Sequence, residues 1–148
     1  MDKQEEIMGQ FVRMIETVAN SKMKKMDFGE GIVLFRGEIH LIKALGDIPG
    51  MFISEIARYF GVSRAVISKN ILKLELRGYV KKVSDPNDLK RVQVFLTPLG
   101  EKAYNQHKIF HAAKDDYMFL YLKSLTPKEL NSISSFLVCA QKMINHHF

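Results

Sequence analysis

Residues 53 to 96 leave this chain little freedom in how it folds, because they read as helix, tight turn, helix and then a two-stranded ribbon. In Ile53-Ser54-Glu55-Ile56-Ala57-Arg58-Tyr59-Phe60-Gly61-Val62 the apolar positions 53, 56, 57 and 60 repeat at helical spacing, with a small alanine where a second helix must come close. Gly61 ends that helix by taking a positive φ, and Ser63 caps the next by accepting a backbone N–H in its first turn. The second helix, from about Arg64 to Arg77, is expected to turn Val66, Ile67, Ile71 and Leu74 inward. Arg64, Ser68, Lys69 and Lys73 then fall on its outer side, which is basic and hydrogen-bonding. Beyond Gly78, Tyr79 to Val83 and Arg91 to Leu96 alternate as strands, joined by Ser84-Asp85-Pro86-Asn87-Asp88, a run rich in turn formers.

The charge sits where these elements are. The net charge is +6, yet residues 51 to 110 hold eleven Lys and Arg against five Asp and Glu, while the rest of the chain balances at eleven against eleven. A localised surplus beside a groove-sized helix is the electrostatic footprint of a duplex DNA binder, since phosphate neutralisation and counterion release supply most non-specific affinity.

The flanking segments read as helices around this lobe. Ile7, Phe11, Met14, Ile15 and Val18 give an apolar stripe to one helix from Lys3 to about Lys22. Asp27 to Gly37, with three glycines, reads as a loop, and Glu38 to Leu45 as a short helix closed by Gly46 and Asp47-Ile48-Pro49-Gly50. Thr97-Pro98 starts a long helix expected to reach about Lys123. Thr126-Pro127-Lys128-Glu129 is a capping box opening a last helix with Leu130, Ile133, Leu137, Ala140 and Ile144 on one stripe. With 148 residues, 47% of them hydrophobic, one domain over 1–148 is expected: mainly α with a small β-wing. Its winged helix-turn-helix occupies 37–97, with the reading helices at about 53–77 and the wing at about 79–96. The terminal parts, 1–36 and 98–148, carry helices whose stripes need a cover, and a second copy supplies it, which predicts a homodimer.

In this order, the Ile53-to-Gly78 unit, the Asp85-Pro86-Asn87-Asp88 wing turn and Leu96-Thr97-Pro98-Leu99-Gly100, set between an N-terminal helix and two terminal helices, resemble the MarR family of transcriptional regulators. The likeness covers essentially the whole chain. It implies dimers on pseudo-palindromic operators, a recognition helix in the major groove, a wing near the minor groove, and repression until a ligand intervenes. The DNA-facing residues expected on this basis are Ser54, Ser63, Arg64, Ala65, Ser68, Lys69 and Lys73 from the helices and Asn87, Lys90 and Arg91 from the wing. Arg64 is the candidate for bidentate contact with guanine, and Ser63, Ser68, Lys69 and Lys73 suit phosphate or adaptable contacts. The wing departs from the family pattern. Two arginines commonly follow the acidic turn, whereas this chain reads Asp88-Leu89-Lys90-Arg91, so the paired arginines are displaced.

Candidate effector sites are of two kinds. His107 and His111 lie four apart on one helix face and His40 lies on the short helix, a set of imidazoles that resembles the zinc-responsive members of the family. Those members add an acidic ligand, for which Asp27, Glu30, Glu38 and Asp115 are candidates, while Gln106 stands where an acid is expected. The other reading makes the histidines buried hydrogen-bonding residues, so zinc is a candidate and no cofactor is required. The resemblance also implies a crevice for a small aromatic or amphipathic ligand, with Phe28, Phe35, Phe110, Tyr117 and Met118 as its apolar wall; plain core packing is the alternative for these residues. Cys139, the one cysteine, excludes an internal disulfide and is expected to be a buried packing residue.

Other classes of function find less support. No Gly-x-Ser-x-Gly elbow, phosphate loop, dinucleotide fingerprint or His-Glu-x-x-His is present, so an enzyme is not expected. No secretory pattern or apolar stretch of about 18 residues is found, which points to the cytoplasm and away from a membrane. The competing reading is a winged helix used as a protein-interaction or architectural DNA-binding module without operator specificity.

Overall fold

In the computed structural model, which describes residues 2–21 and 24–147, the order is α1 (Lys3–Asn20), β1 (Lys25–Asp27), β2 (Val33–Phe35), α2 (Arg36–Asp47), α3 (Ile53–Phe60), α4 (Arg64–Leu76), β3 (Val80–Asp85), β4 (Asp88–Leu96), α5 (Pro98–Lys114), α6 (Asp116–Lys123) and α7 (Pro127–His147). The chain divides by packing into two units, one up to Ile109 and one from Phe110 on.

The first unit is built on the turn at Gly61, which takes φ 65° and closes α3 as the sequence requires. Ser63 then opens α4 by accepting from the Val66 N–H at 3.2 Å. Ile56 and Ala57 of α3 and Ile67, Ile71 and Leu74 of α4 are buried with Ile39, Ile42 and Leu45 of α2, so three helices share one core. Burying each isoleucine or leucine among them contributes about 1.5 to 3 kcal/mol. Val66, expected inward, is 46% exposed on the outer side, because the buried stripe runs through 67, 71 and 74 and leaves 66 a third of a turn away. Beyond Gly78, β3 and β4 pair antiparallel from Val80↔Leu96 to Ser84↔Val92, with an irregularity at Ser84/Asp85. The strands run further than the alternation indicated, leaving only Pro86 and Asn87 at the tip and bringing Leu89 and Lys90 into β4. The wing base is braced by the residues before α3: Phe52 bridges to Gln93, and the Val94 N–H donates to the Met51 carbonyl at 3.0 Å.

Two expectations for the segment before α3 are corrected. Residues 27–37 are not a loop: β1 and β2 form a short antiparallel hairpin, Lys25↔Phe35 to Asp27↔Val33. Gly29, Glu30 and Gly31 make its turn at φ 88°, 52° and 81°, and the Phe28 N–H donates to the Ile32 carbonyl at 2.8 Å. Nor does Gly46 close α2, which continues to Asp47. A Cβ on Gly46 would lie 2.2 Å from the Tyr104 ring, so this glycine serves the close approach of α2 and α5. The Tyr104 hydroxyl then donates to Asp47 at 2.7 Å. Lys43 and, next, Tyr104 hold the Asp47 carboxyl below its ordinary range by hydrogen bonding to its charged form.

In the second unit the helix expected to run to Lys123 is interrupted at Asp115, where the carboxylate lies 2.7 Å from His111 Nδ1. A new helix, α6, starts there. The capping box of α7 forms as the sequence indicates: Thr126 N donates to Glu129 at 2.8 Å and Glu129 N to the Thr126 hydroxyl at 3.3 Å. These bonds, the backbone one foremost, favour the charged form and hold the Glu129 carboxyl below the usual carboxylate range. Among the described residues of α7 only Ala140 is buried. Cys139 is therefore not the packed residue it was expected to be; it is exposed, on a helix with little cover from its own chain. None of the described helices is long and apolar enough to cross a membrane.

Candidate nucleic-acid interface

The expected DNA-facing residues gather at the junction of α3, α4 and the wing. Ser63 and Arg64 start α4, Ala65, Ser68, Lys69 and Lys73 follow on its exposed side, and all are solvent-accessible. Ser54 stands in the first turn of α3. A cleft of about 380 Å³ brings Ser54, Arg64 and Ser68 together with Lys90 and Arg91 of β4, beside Phe52. Asn87 sits apart from them at the wing tip, its backbone N–H donating to Asp85 Oδ1 at 2.9 Å. Two cations of the wing and one of the recognition helix thus face a common space.

Phe52 was not among the residues singled out from sequence. Its ring carries the Arg91 guanidinium, 3.9 Å from the centroid. A second residue missed by sequence reasoning is Arg77, which anchors the far end of α4. Its Nη1 donates to Glu38 at 3.0 and 3.2 Å and its Nη2 to the Val33 carbonyl at 2.8 Å, while Glu38 also accepts from the Phe35 N–H at 2.9 Å. Only 14% of the Glu38 side chain is exposed. The recognition helix is thereby tied to the β1–β2 hairpin and to the start of α2. Arg77→Met should lower the free energy of unfolding by about 1 to 2 kcal/mol, discounted for the partly exposed arginine. Urea unfolding with an unchanged midpoint would show that the anchor contributes nothing.

The histidines are dispersed over other roles. His40 and His107 meet edge to face with centroids 6.2 Å apart, and His107, buried, also meets Phe28 at 5.7 Å. In the second unit His111 faces Asp115 and has the Phe110 ring 5.8 Å away. Of the other acids considered, Asp27 accepts from Gly29 N at 2.8 Å, Glu30 lies 3.4 Å from Lys102, and Glu38 is taken by Arg77. Gln106 donates to the Phe28 carbonyl at 3.3 Å. Among the described residues no group of three or more His, Cys, Asp or Glu side chains is arranged to hold a metal ion. His40 and His107 adjoin each other in the first unit, and His111 belongs to the second. Of the expected ligand wall, Phe28 is core of the first unit and Phe35 is half-buried with Lys25 Nζ 5.4 Å from its ring. In the second unit Phe110 lies under Lys114 Nζ at 4.6 Å, and Tyr117 and Met118 are 70% and 52% exposed on α6.

Helix-turn-helix, braced wing and cationic cleft together define a winged-helix protein of the nucleic-acid-reading class. A model of the MarR family matches residues 36–91, the stretch from α2 into the wing. The chain is 24% identical over 119 residues to the uncharacterized HTH-type transcriptional regulator YhjH of Bacillus subtilis, covering 79% of this chain and 68% of that one. It is 25% identical over 136 residues to YybA of the same organism, described in the same words, covering 92% and 85%. The structure of Lactococcus lactis ZitR in complex with DNA superimposes with a TM-score of 0.79 over 97% of this chain and 99% of that one, at 21% identity; ZitR is described as a zinc-responsive MarR family member. Residues 36–91 thus match the MarR family of transcriptional regulators, and over nearly the whole chain the fold is that of a MarR-type winged helix.

Proposed function

We propose that the protein is a dimeric, sequence-specific regulator that occupies a two-fold-related DNA site, represses from it, and leaves it on binding a small effector. The observation that carries this is the cleft in which α4 and the wing present Arg64, Lys90 and Arg91 together. The dimer is supported by apolar surface that the chain does not cover itself. Tyr117, Met118, Phe119, Leu120 and Tyr121 of α6 are all more than half exposed, and no α1 side chain is buried. So many consecutive exposed apolar residues are unusual on a monomer's surface. The effector half of the reading rests on the family resemblance, and its chemistry is that of a small aromatic or amphipathic molecule.

The deciding experiment is selection and sequencing of genomic duplex fragments bound by the protein, repeated with zinc and with a chelator. A palindromic site, preferred by about 10³ or more over random duplex, is the expected result. Binding without preference would make the protein an architectural module, and little duplex affinity would make it a protein-interaction module. Zinc-dependent affinity would support a metal site that includes His40, His107 and His111. On the selected site Arg64→Ala should cost about 1 to 3 kcal/mol and relax discrimination at one base position, while Lys73→Ala should weaken all sequences alike. Equal losses on operator and random DNA for both variants would overturn these assignments.

A further inference from the structure

In the cleft between α4 and β4, one of the three cations is mounted on an aromatic ring. Arg91 stacks its guanidinium on Phe52, yet its side chain remains 53% exposed. The Asp85 carboxylate forms a loose ion pair with it at 3.9 Å, too far for a hydrogen bond, so Asp85 takes up none of its N–H donors. Phe52 itself is firmly held. It bridges to Gln93 of β4, and its carbonyl accepts the Glu55 and Ile56 N–H groups at 2.9 and 3.0 Å where α3 begins. An arginine on an exposed strand ordinarily loses rotamer freedom when it binds; stacked on a ring whose backbone is fixed, it has lost part of that freedom beforehand. Stacking covers the flat face of the guanidinium and leaves the donors at its edge available for an oxyanion. The same cleft is lined by Lys90, by Arg64 and by the hydroxyls of Ser54 and Ser68.

We propose that Phe52 is the positioning residue of the wing: it holds Arg91 so that Arg91, with Lys90, clamps one backbone phosphate of duplex DNA beside the base-reading face of α4. This rests on the DNA-binding reading. It also accounts for the altered wing. Where the family pattern puts its first arginine this chain has Leu89, 75% exposed, and the arginine one place beyond the expected pair is the one that finds the aromatic support.

The test is a salt series of duplex binding for the full chain and for Arg91→Ala, Arg91→Lys, Phe52→Leu, Phe52→Tyr and the Phe52→Leu/Arg91→Ala double variant, each with its melting temperature. Arg91→Ala should reduce the slope of log affinity against log salt by about 0.9, the share of one phosphate, on operator and random duplex alike. Phe52→Leu should weaken binding about two- to fivefold, and should add nothing once Arg91 is already alanine. Arg91→Lys, a surface change that folding tolerates, should keep the slope and show the same loss as Phe52→Leu; Phe52→Tyr should bind as the parent does. An unchanged slope for Arg91→Ala, or independent losses at 52 and 91, would make the stack a mere tie between β4 and α3 and overturn the proposal while leaving DNA binding intact. Absence of salt-dependent duplex binding by the parent protein would overturn both.

Discussion

Gly100→Ala is expected to be the most damaging single-methyl change in the chain. A Cβ at this position would lie 2.1 Å from the backbone oxygen of Tyr79 and 3.1 Å from the Leu96 side chain. The oxygen has no room to retreat, because it accepts the Thr97 N–H at 3.1 Å where β4 ends, and Tyr79 is itself buried. The Thr97 hydroxyl meanwhile donates to the Gly78 carbonyl and accepts from Gly100 N, so the turn out of the wing and the start of α5 are one hydrogen-bonded knot. Adding the methyl must break part of that knot or tilt α5, at a cost of about 3 kcal/mol or more. For a chain of this length that lowers the melting temperature by roughly 6 °C or more. Gly37→Ala is the control: its Cβ would meet nothing within 4 Å and it lies in the first turn of α2, so that variant should be neutral or slightly stabilised. Similar melting temperatures for the two variants would show that the exit of the wing yields more readily than its hydrogen bonds imply.

Leu137→Glu is expected to have the largest effect on function without harming the protomer. Leu137 is 57% exposed on α7, in the stripe that includes Ile133, Ala140 and Ile144, and its neighbour Val138 is 55% exposed. A carboxylate there is solvated in the single chain but would be desolvated and unpaired against a second copy. On the proposed reading sedimentation should change from dimer to monomer, with the helical circular dichroism retained, and affinity for the two-fold site should fall by about 10³ or more as both half-sites can no longer be held at once. A variant that stays dimeric would exclude this face of α7 from the interface.

How far these features could be read from sequence depended on how local their causes are. Gly61, Ser63, Thr126 and Glu129 act within one turn of chain, and the cap and C-terminal geometry they imply is what forms. The β1–β2 hairpin escaped notice because strands of three residues offer no run over which alternation can be recognised, and their glycines looked only like loop formers. Gly46 was misread for a related reason: what demands a glycine there is the Tyr104 ring, far away in the chain. The break at Asp115 turns on a side chain that faces His111 rather than on any proline or glycine. Around the cleft, the outer residues of α4 and the two wing cations were legible as charge at helical and strand spacing. Phe52 was not. Its meaning comes from strand pairing with Gln93, and an aromatic just before a helix and opposite a basic strand is the only local hint of it. The exposed Cys139 shows the opposite limit, since an apolar stripe announces that a surface will be covered but not by which chain.

The tip of the wing has one more consequence. Asp85 Oδ1 accepts from the Asn87 N–H and Asp88 Oδ1 from the Lys90 N–H, so the turn that shortens the loop to two residues is held by two carboxylates at the extremity of the ribbon. On the DNA-binding reading these are negative charges carried toward a polyanion. They repel operator and arbitrary duplex alike, so they loosen the grip that every sequence shares and leave preference for one address to the contacts of α4.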